Sequence, residues 1–193
     1  VDFRLRQRDF SLDGKRAGVP WLGTSIAEFG RLDRVLVIGS FLRKDHPLLT
    51  QRLRQSAKKG AQVSVIHATA DDLLVPVTGR MTVAPSAFAT ALAEVIKSVA
   101  EQKAVAFDEA LYQQTQTLPV SAEARRIASS LVSGERIGVF LGNLGQQHPQ
   151  AAQLSALLGE LERLLGASFG VLGEAANSVG GYIAGALPRA NGL

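Results

Sequence analysis

The chain contains no cysteine, a single methionine and only three histidines among its 193 residues. Without thiols it can form no disulfide, offers no thiolate nucleophile and cannot hold zinc or an iron–sulfur cluster through sulfur. His46, His67 and His148 lack the H-E-x-x-H or other tight spacing that a dedicated metal site requires. No apolar run approaches the roughly 18–20 residues of a membrane span. The opening stretch carries Asp2, Arg4, Arg6, Arg8 and Asp9 where a signal peptide would be apolar. Phosphate-binding motifs are also missing. Gly138, Gly142 and Gly145 are spaced G-x-x-x-G-x-x-G, which is not the dinucleotide G-x-G-x-x-G, and His67 stands where a ribose-binding acid would end the second strand. The pair Gly14-Lys15 is followed by Arg16, so there is no Walker A loop, and no G-x-S-x-G elbow activates Ser40.

What remains is ordinary for a globular protein: 46% hydrophobic and 20% charged residues, in a length suited to one domain or one large module. The start at Val1 leads us to expect a module cut from a longer protein. Charge is uneven. Residues 1–60 hold 13 Lys/Arg against 6 Asp/Glu, a balance of +7, whereas residues 61–193 hold 8 against 11, a balance of −3. With aromatics at 6%, the basic front is read as cations gathered at a helix C-terminus, together with a partner-facing arm, and not as a nucleic-acid site.

Residues 1–33 mix charge, glycine, Pro20 and Trp21 without a sustained period and are expected to form an irregular arm sheltered by a neighbour. Residues 34–193 read as an α/β domain. Arg34 to Ile38, stopping at Gly39-Ser40, has the pattern of a strand buried on both faces. His46-Pro47 opens a helix that Lys59-Gly60 closes, and Gln62 to His67 is the next strand, parallel to the first across a right-handed crossover. A loop through Pro76, Gly79 and Pro85 leads to an amphipathic helix on Phe88, Leu92, Val95, Ile96 and Val99. Ser121 caps a further helix that ends at Gly134; Ile137 to Leu141 is a third strand; and His148-Pro149 opens a leucine-rich helix before a fourth strand at 168–172. The expectation is a three-layer sandwich around a mainly parallel, Rossmann-like sheet of two βαβ half-units, about 34–118 and 119–193.

The half-units echo each other: Gly39-Ser40, Leu42 and His46-Pro47 answer Gly142-Asn143, Leu144 and His148-Pro149. Ligands in such sheets sit beyond the carboxyl ends of the strands, where strand order reverses, so Gly39, Ser40, His46, His67, Gly142, Asn143 and His148 are the candidate cleft residues. The two His-Pro histidines could form an acid/base pair. Each also sits at a positive helix start, which disfavours imidazolium and gives it the plainer role of a neutral cap or turn residue. Ser40 and Asn143 equally serve as turn anchors, Asp71-Asp72 as a solvated loop, and the Gly-rich 177–182 stretch, which lacks Lys and Arg, as a plain loop.

Leu36 to Leu49, Asp2 to Gln7, Pro20 to Gly23, Leu141 to Leu144 with Gln147 to Pro149, and Gly173 to Gly181 together resemble the large iron–sulfur subunit of bacterial NADH-quinone oxidoreductase, respiratory complex I. The resemblance runs over residues 2–188 and rests on the order of the pieces. It implies the part of that subunit similar to molybdopterin oxidoreductases, with the iron–sulfur clusters elsewhere in the parent and no cofactor in this piece. It also implies neighbouring domains and complex I subunits as partners, a place on the cytoplasmic side of the bacterial inner membrane, membrane contact only through the complex, and no nucleic acid. In molybdenum enzymes the first strand typically ends Gly-x-Asn-Pro before a His-Pro, and the second ends Asp-Pro-Arg, which holds the guanosine. Gly39, His46 and Pro47 fit that pattern; Phe41-Leu42 and His67-Ala68-Thr69 depart from it. The expected cleft is therefore vestigial and the module a scaffold, inactive alone within a complex that passes electrons from NADH to quinone. The alternatives are a molybdopterin guanine dinucleotide-binding oxidoreductase domain and a nucleotide or nucleic-acid binding module.

Overall fold

Five strands, β1 (Arg34–Ile38), β2 (Gln62–His67), β3 (Val77–Thr82), β4 (Ile137–Leu141) and β5 (Ser168–Val171), form one sheet in the computed structural model, which describes residues 9, 11 and 19–185. Their order is β3-β2-β1-β4-β5, with every neighbouring pair parallel. The order reverses between β1 and β4, whose registers pair Ile38 with Leu141. The described helices are α1 (Ile26–Phe29), α2 (Leu42–Asp45), α3 (Pro47–Ala57), α4 (Phe88–Lys103), α5 (Glu109–Thr115), α6 (Ala122–Val132), α7 (Asn143–Gln146), α8 (Ala151–Leu165) and α9 (Ser178–Ile183).

Alternation along the strands divides the core in two. Leu36, Ile38, Ile66, Val139 and Leu141 face the side covered by α4, α6 and α8. Val35, Val37, Val63, Val65 and Phe140 face the other side, where Phe29 of α1 and Leu53 of α3 complete a smaller cluster. This is the expected three-layer, Rossmann-like sandwich. Both faces are covered, so the strands read as continuous apolar runs.

Several expectations need correcting. The loop through Gly79 contains β3, an edge strand of sequence VTGRMT whose threonines and arginine conceal it. Gly79 there is a close-approach residue: a Cβ would lie 2.6 Å from Ile127 of α6. The Gly-rich 177–182 stretch is not a plain loop: Asn177 is the N-cap residue of α9, and Ser178 to Tyr182 lie within it. The leucine-rich helix starts at Ala151, because the His148 ring nitrogen Nδ1 accepts the Gln150 N–H at 3.0 Å and holds His148-Pro149 in a turn ahead of it. Of the expected irregular arm, residues 1–8, 10 and 12–18 lie outside the described residues. Residues 19–33 pack on the domain: Val171 N–H donates to Trp21 C=O at 2.7 Å, and Phe29 is fully buried with its ring 5.0 Å from that of Phe140.

Candidate functional site

β1 and β4 end side by side, and each runs into one short helical turn before its His-Pro, so the sequence echo is also a structural one. Gly39 has φ +62, a conformation that suits glycine, and a Cβ there would lie 2.6 Å from the Gly145 nitrogen. The two strand-end loops are therefore in backbone contact. Gly142 N–H donates to Ile38 C=O at 2.8 Å, and Leu144 and Gly145 N–H both donate to Gly39 C=O, at 2.8 and 3.3 Å. These are the amides that would face an anion at the switch point.

Ser40, one residue on, is 6% exposed and its hydroxyl has no hydrogen-bond partner; the buried Oδ1 of Asn143 is likewise unpartnered. The turn-anchor role expected for these two side chains is thus not carried by a bond from either atom. Among the described residues five buried side-chain polar atoms lack a partner, and four of them, on Ser40, His46, His67 and Asn143, lie at the carboxyl ends of β1, β2 and β4. An unpaired buried polar atom costs about 1–3 kcal/mol, so this end of the sheet carries most of that cost among the described residues.

No hydrogen bond joins the three histidines to one another. His67, at the end of β2, is 4% exposed, and its Nδ1 lies 3.2 Å from the Thr69 backbone nitrogen and 3.1 Å from the Thr69 hydroxyl. Its ring meets Phe41 edge to face, with centroids 4.5 Å apart. His46 begins α3 without a capping bond from its side chain, and burial lowers its pKa, against a smaller upward pull from Asp45. His148 is buried on the opposite layer beside Phe88 and serves as the turn acceptor described above. His46 Nε2 has no hydrogen-bond partner, so no bond links it to His148.

An open groove of about 510 Å³ crosses the switch point, lined by Phe41, Asp45, Asn143, Leu144, Gln147, Glu174 and Ala175. Gln147 Nε2 donates to Glu174 at 2.9 Å, and Asp45 accepts the Phe41 N–H at 3.2 Å. Two carboxylates and no cation line it, a polarity that opposes a diphosphate. Phe41, Asp45, Gln147 and Glu174 were not among the sequence candidates. Phe41 was detectable, because it stands where the molybdenum-enzyme pattern has asparagine; the others reach the groove only through the fold. Among the described residues no group of three or more His, Asp or Glu could hold a metal ion, and no helix is long and apolar enough to cross a membrane.

No family model matches the chain, and no curated protein matches it. Solved structures do. One is a chain of the formyltransferase/hydrolase complex of Methylorubrum extorquens, determined with methylofuran, to which this chain is similar with a TM-score of 0.56 and 16% identity. The match covers 93% of this chain and 49% of that one, so the chain spans about half the length of its structural counterpart. At that identity the likeness shows the fold alone.

Proposed function

We propose that this chain is a scaffold module of the large iron–sulfur subunit of an NADH-quinone oxidoreductase, built on a cofactor-binding type of fold whose crevice no longer takes a dinucleotide. The ordered sequence resemblance supports that choice of assembly. The scaffold role rests on one observation: the amides of Gly142, Leu144 and Gly145 are already bonded to the carbonyls that end β1. Phe41 and His67 pack together where the molybdenum-enzyme pattern puts polar clamps, which supports the same reading.

A second reading, a molybdopterin guanine dinucleotide-binding oxidoreductase domain, is favoured by the unpartnered Ser40 and Asn143 atoms at the switch point. Equilibrium dialysis against guanosine diphosphate separates the two. The scaffold reading expects no saturable uptake, and stoichiometric binding would transfer the conclusion to the second reading. The assembly itself is tested by purifying the intact gene product with its complex. Peptides from residues 34–172 should copurify with NADH–quinone activity, and their absence from such a preparation would remove the proposed place.

A further inference from the structure

The outer face of α3 carries a concentration of charge that the crevice does not explain. Thr50, Leu53 and Ser56 turn inward, and the Ser56 hydroxyl ties the helix to the end of α1 by donating to Gly30 C=O at 2.8 Å. Opposite them Leu48, Gln51, Arg52, Arg54 and Gln55 are exposed along the helix, and Lys58 and Lys59 are exposed in the turn that closes it. No acidic residue occurs from His46 to Ala70. Among the described residues none of these four cations has a carboxylate within ion-pair distance, whereas other arginines, such as Arg31, Arg126 and Arg163, pair with a glutamate three residues away. Leu48 is 81% exposed, the most exposed large hydrophobic side chain described.

We propose that this face is a docking surface for an acidic, partly apolar segment of a partner protein. Two arginines on a helix tied to the core and two lysines in the turn that closes it set out a row of positive charge that draws carboxylates in from a distance. Leu48, at the amino-terminal end of the same face, adds an exposed apolar side chain that a partly apolar partner can cover. That side chain decides between partners. Phosphates of a nucleic acid gain nothing from an isolated leucine, and an interfacial membrane helix needs a row of apolar side chains, whereas the row on α3 is committed to the core. The surface is independent of how the crevice is read.

Fluorescence anisotropy of the full chain with a labelled peptide of Glu-Glu-Leu repeats tests the proposal. Phosphatidylcholine–phosphatidylserine vesicles and duplex DNA serve as the competing probes. The peptide should bind most tightly. Removing the four cations (Arg52→Ala, Arg54→Ala, Lys58→Ala, Lys59→Ala) should weaken it by about tenfold or more, since each exposed pair contributes little and several add. Leu48→Ser should weaken it by about fivefold at unchanged charge, from lost apolar burial. Because these side chains are exposed, the variants should keep the parent circular dichroism, and crosslinking through Lys58 and Lys59 should locate the bound peptide on α3. Tighter binding of DNA or vesicles, peptide binding indifferent to Leu48→Ser, crosslinks elsewhere, or no peptide binding would each overturn the proposal.

Discussion

Gly39 and Gly60 both adopt positive φ, +62 and +100, yet they should respond differently to alanine. At Gly60 a Cβ meets nothing within 4 Å, so Gly60→Ala costs only the backbone strain, about 1 kcal/mol. At Gly39 the Cβ would press on the Gly145 backbone 2.6 Å away, which cannot swing aside as a side chain can. Gly39→Ala should therefore destabilise by about 2–4 kcal/mol in urea denaturation, and equal effects at the two sites would contradict the close contact of the strand-end loops. His46 makes a pH prediction. Burial lowers its pKa below the ordinary 6.5, so the unfolded chain takes up a proton that the folded chain refuses. Its contribution is undiminished above pH 6.5 and is lost progressively as pH falls from there toward the lower folded value. His46→Gln should flatten that part of the stability–pH curve, and an unchanged slope would mean that the folded ring titrates normally.

Among the elements, α5 shows how a short helix without a buried apolar stripe of its own is held. Only Thr115 of its residues is buried. Asp108 caps its start, accepting the Leu111 N–H at 2.9 Å, and the Asp108 N–H itself donates to Glu160 of α8 at 3.0 Å. At the other end Lys97 Nζ donates to the carbonyls of Thr115, Gln116 and Leu118 at 3.1, 2.9 and 2.9 Å, the favourable placement of a cation on orphan helix carbonyls. Lys97→Met keeps the stem and removes all three bonds. It should cost about 1–3 kcal/mol and speed amide exchange across 109–118 while the sheet stays protected; slow exchange there would show α5 held by its other contacts. The same elements show where sequence patterns give out. A seven-residue helix fixed by side chains from α4 and α8 leaves no periodic signal, and β3, half-buried at the sheet edge, has too few apolar residues to read as a strand.

For the whole molecule, the segment before β1 decides how large the core is. Phe29 is fully buried among Val35, Val37, Leu53 and Phe140, so the layer opposite α4, α6 and α8 depends on residues that precede the first strand. Phe29→Ala should lower stability by about 3–5 kcal/mol, the cost of an emptied aromatic site, measured by chemical denaturation of the intact chain. A loss below about 1 kcal/mol would place α1 outside the cooperative unit.

Local pattern was enough to identify the parallel strands β1, β2, β4 and β5 and the main crossover helices between them. Continuous apolar runs, a 3.6-residue stripe, and Gly or His-Pro punctuation at the strand ends carry that information. Ser121 illustrates it, capping α6 by accepting the Ala124 N–H at 3.2 Å as its position before the helix implies. Which groups meet was a matter of the folded arrangement. Strand order set β1 against β4, so the loops after them closed on each other through the Gly39 and Gly142–Gly145 backbones. The alternation of layers put His148 with the cluster under α4, α6 and α8, away from His46 on α3, and the turn after β1 brought Phe41 onto His67. Contacts between residues far apart in sequence depend on the order and spacing of strands, which no local period encodes, and those contacts are what give the switch point its carboxylate-lined groove in place of a phosphate cradle.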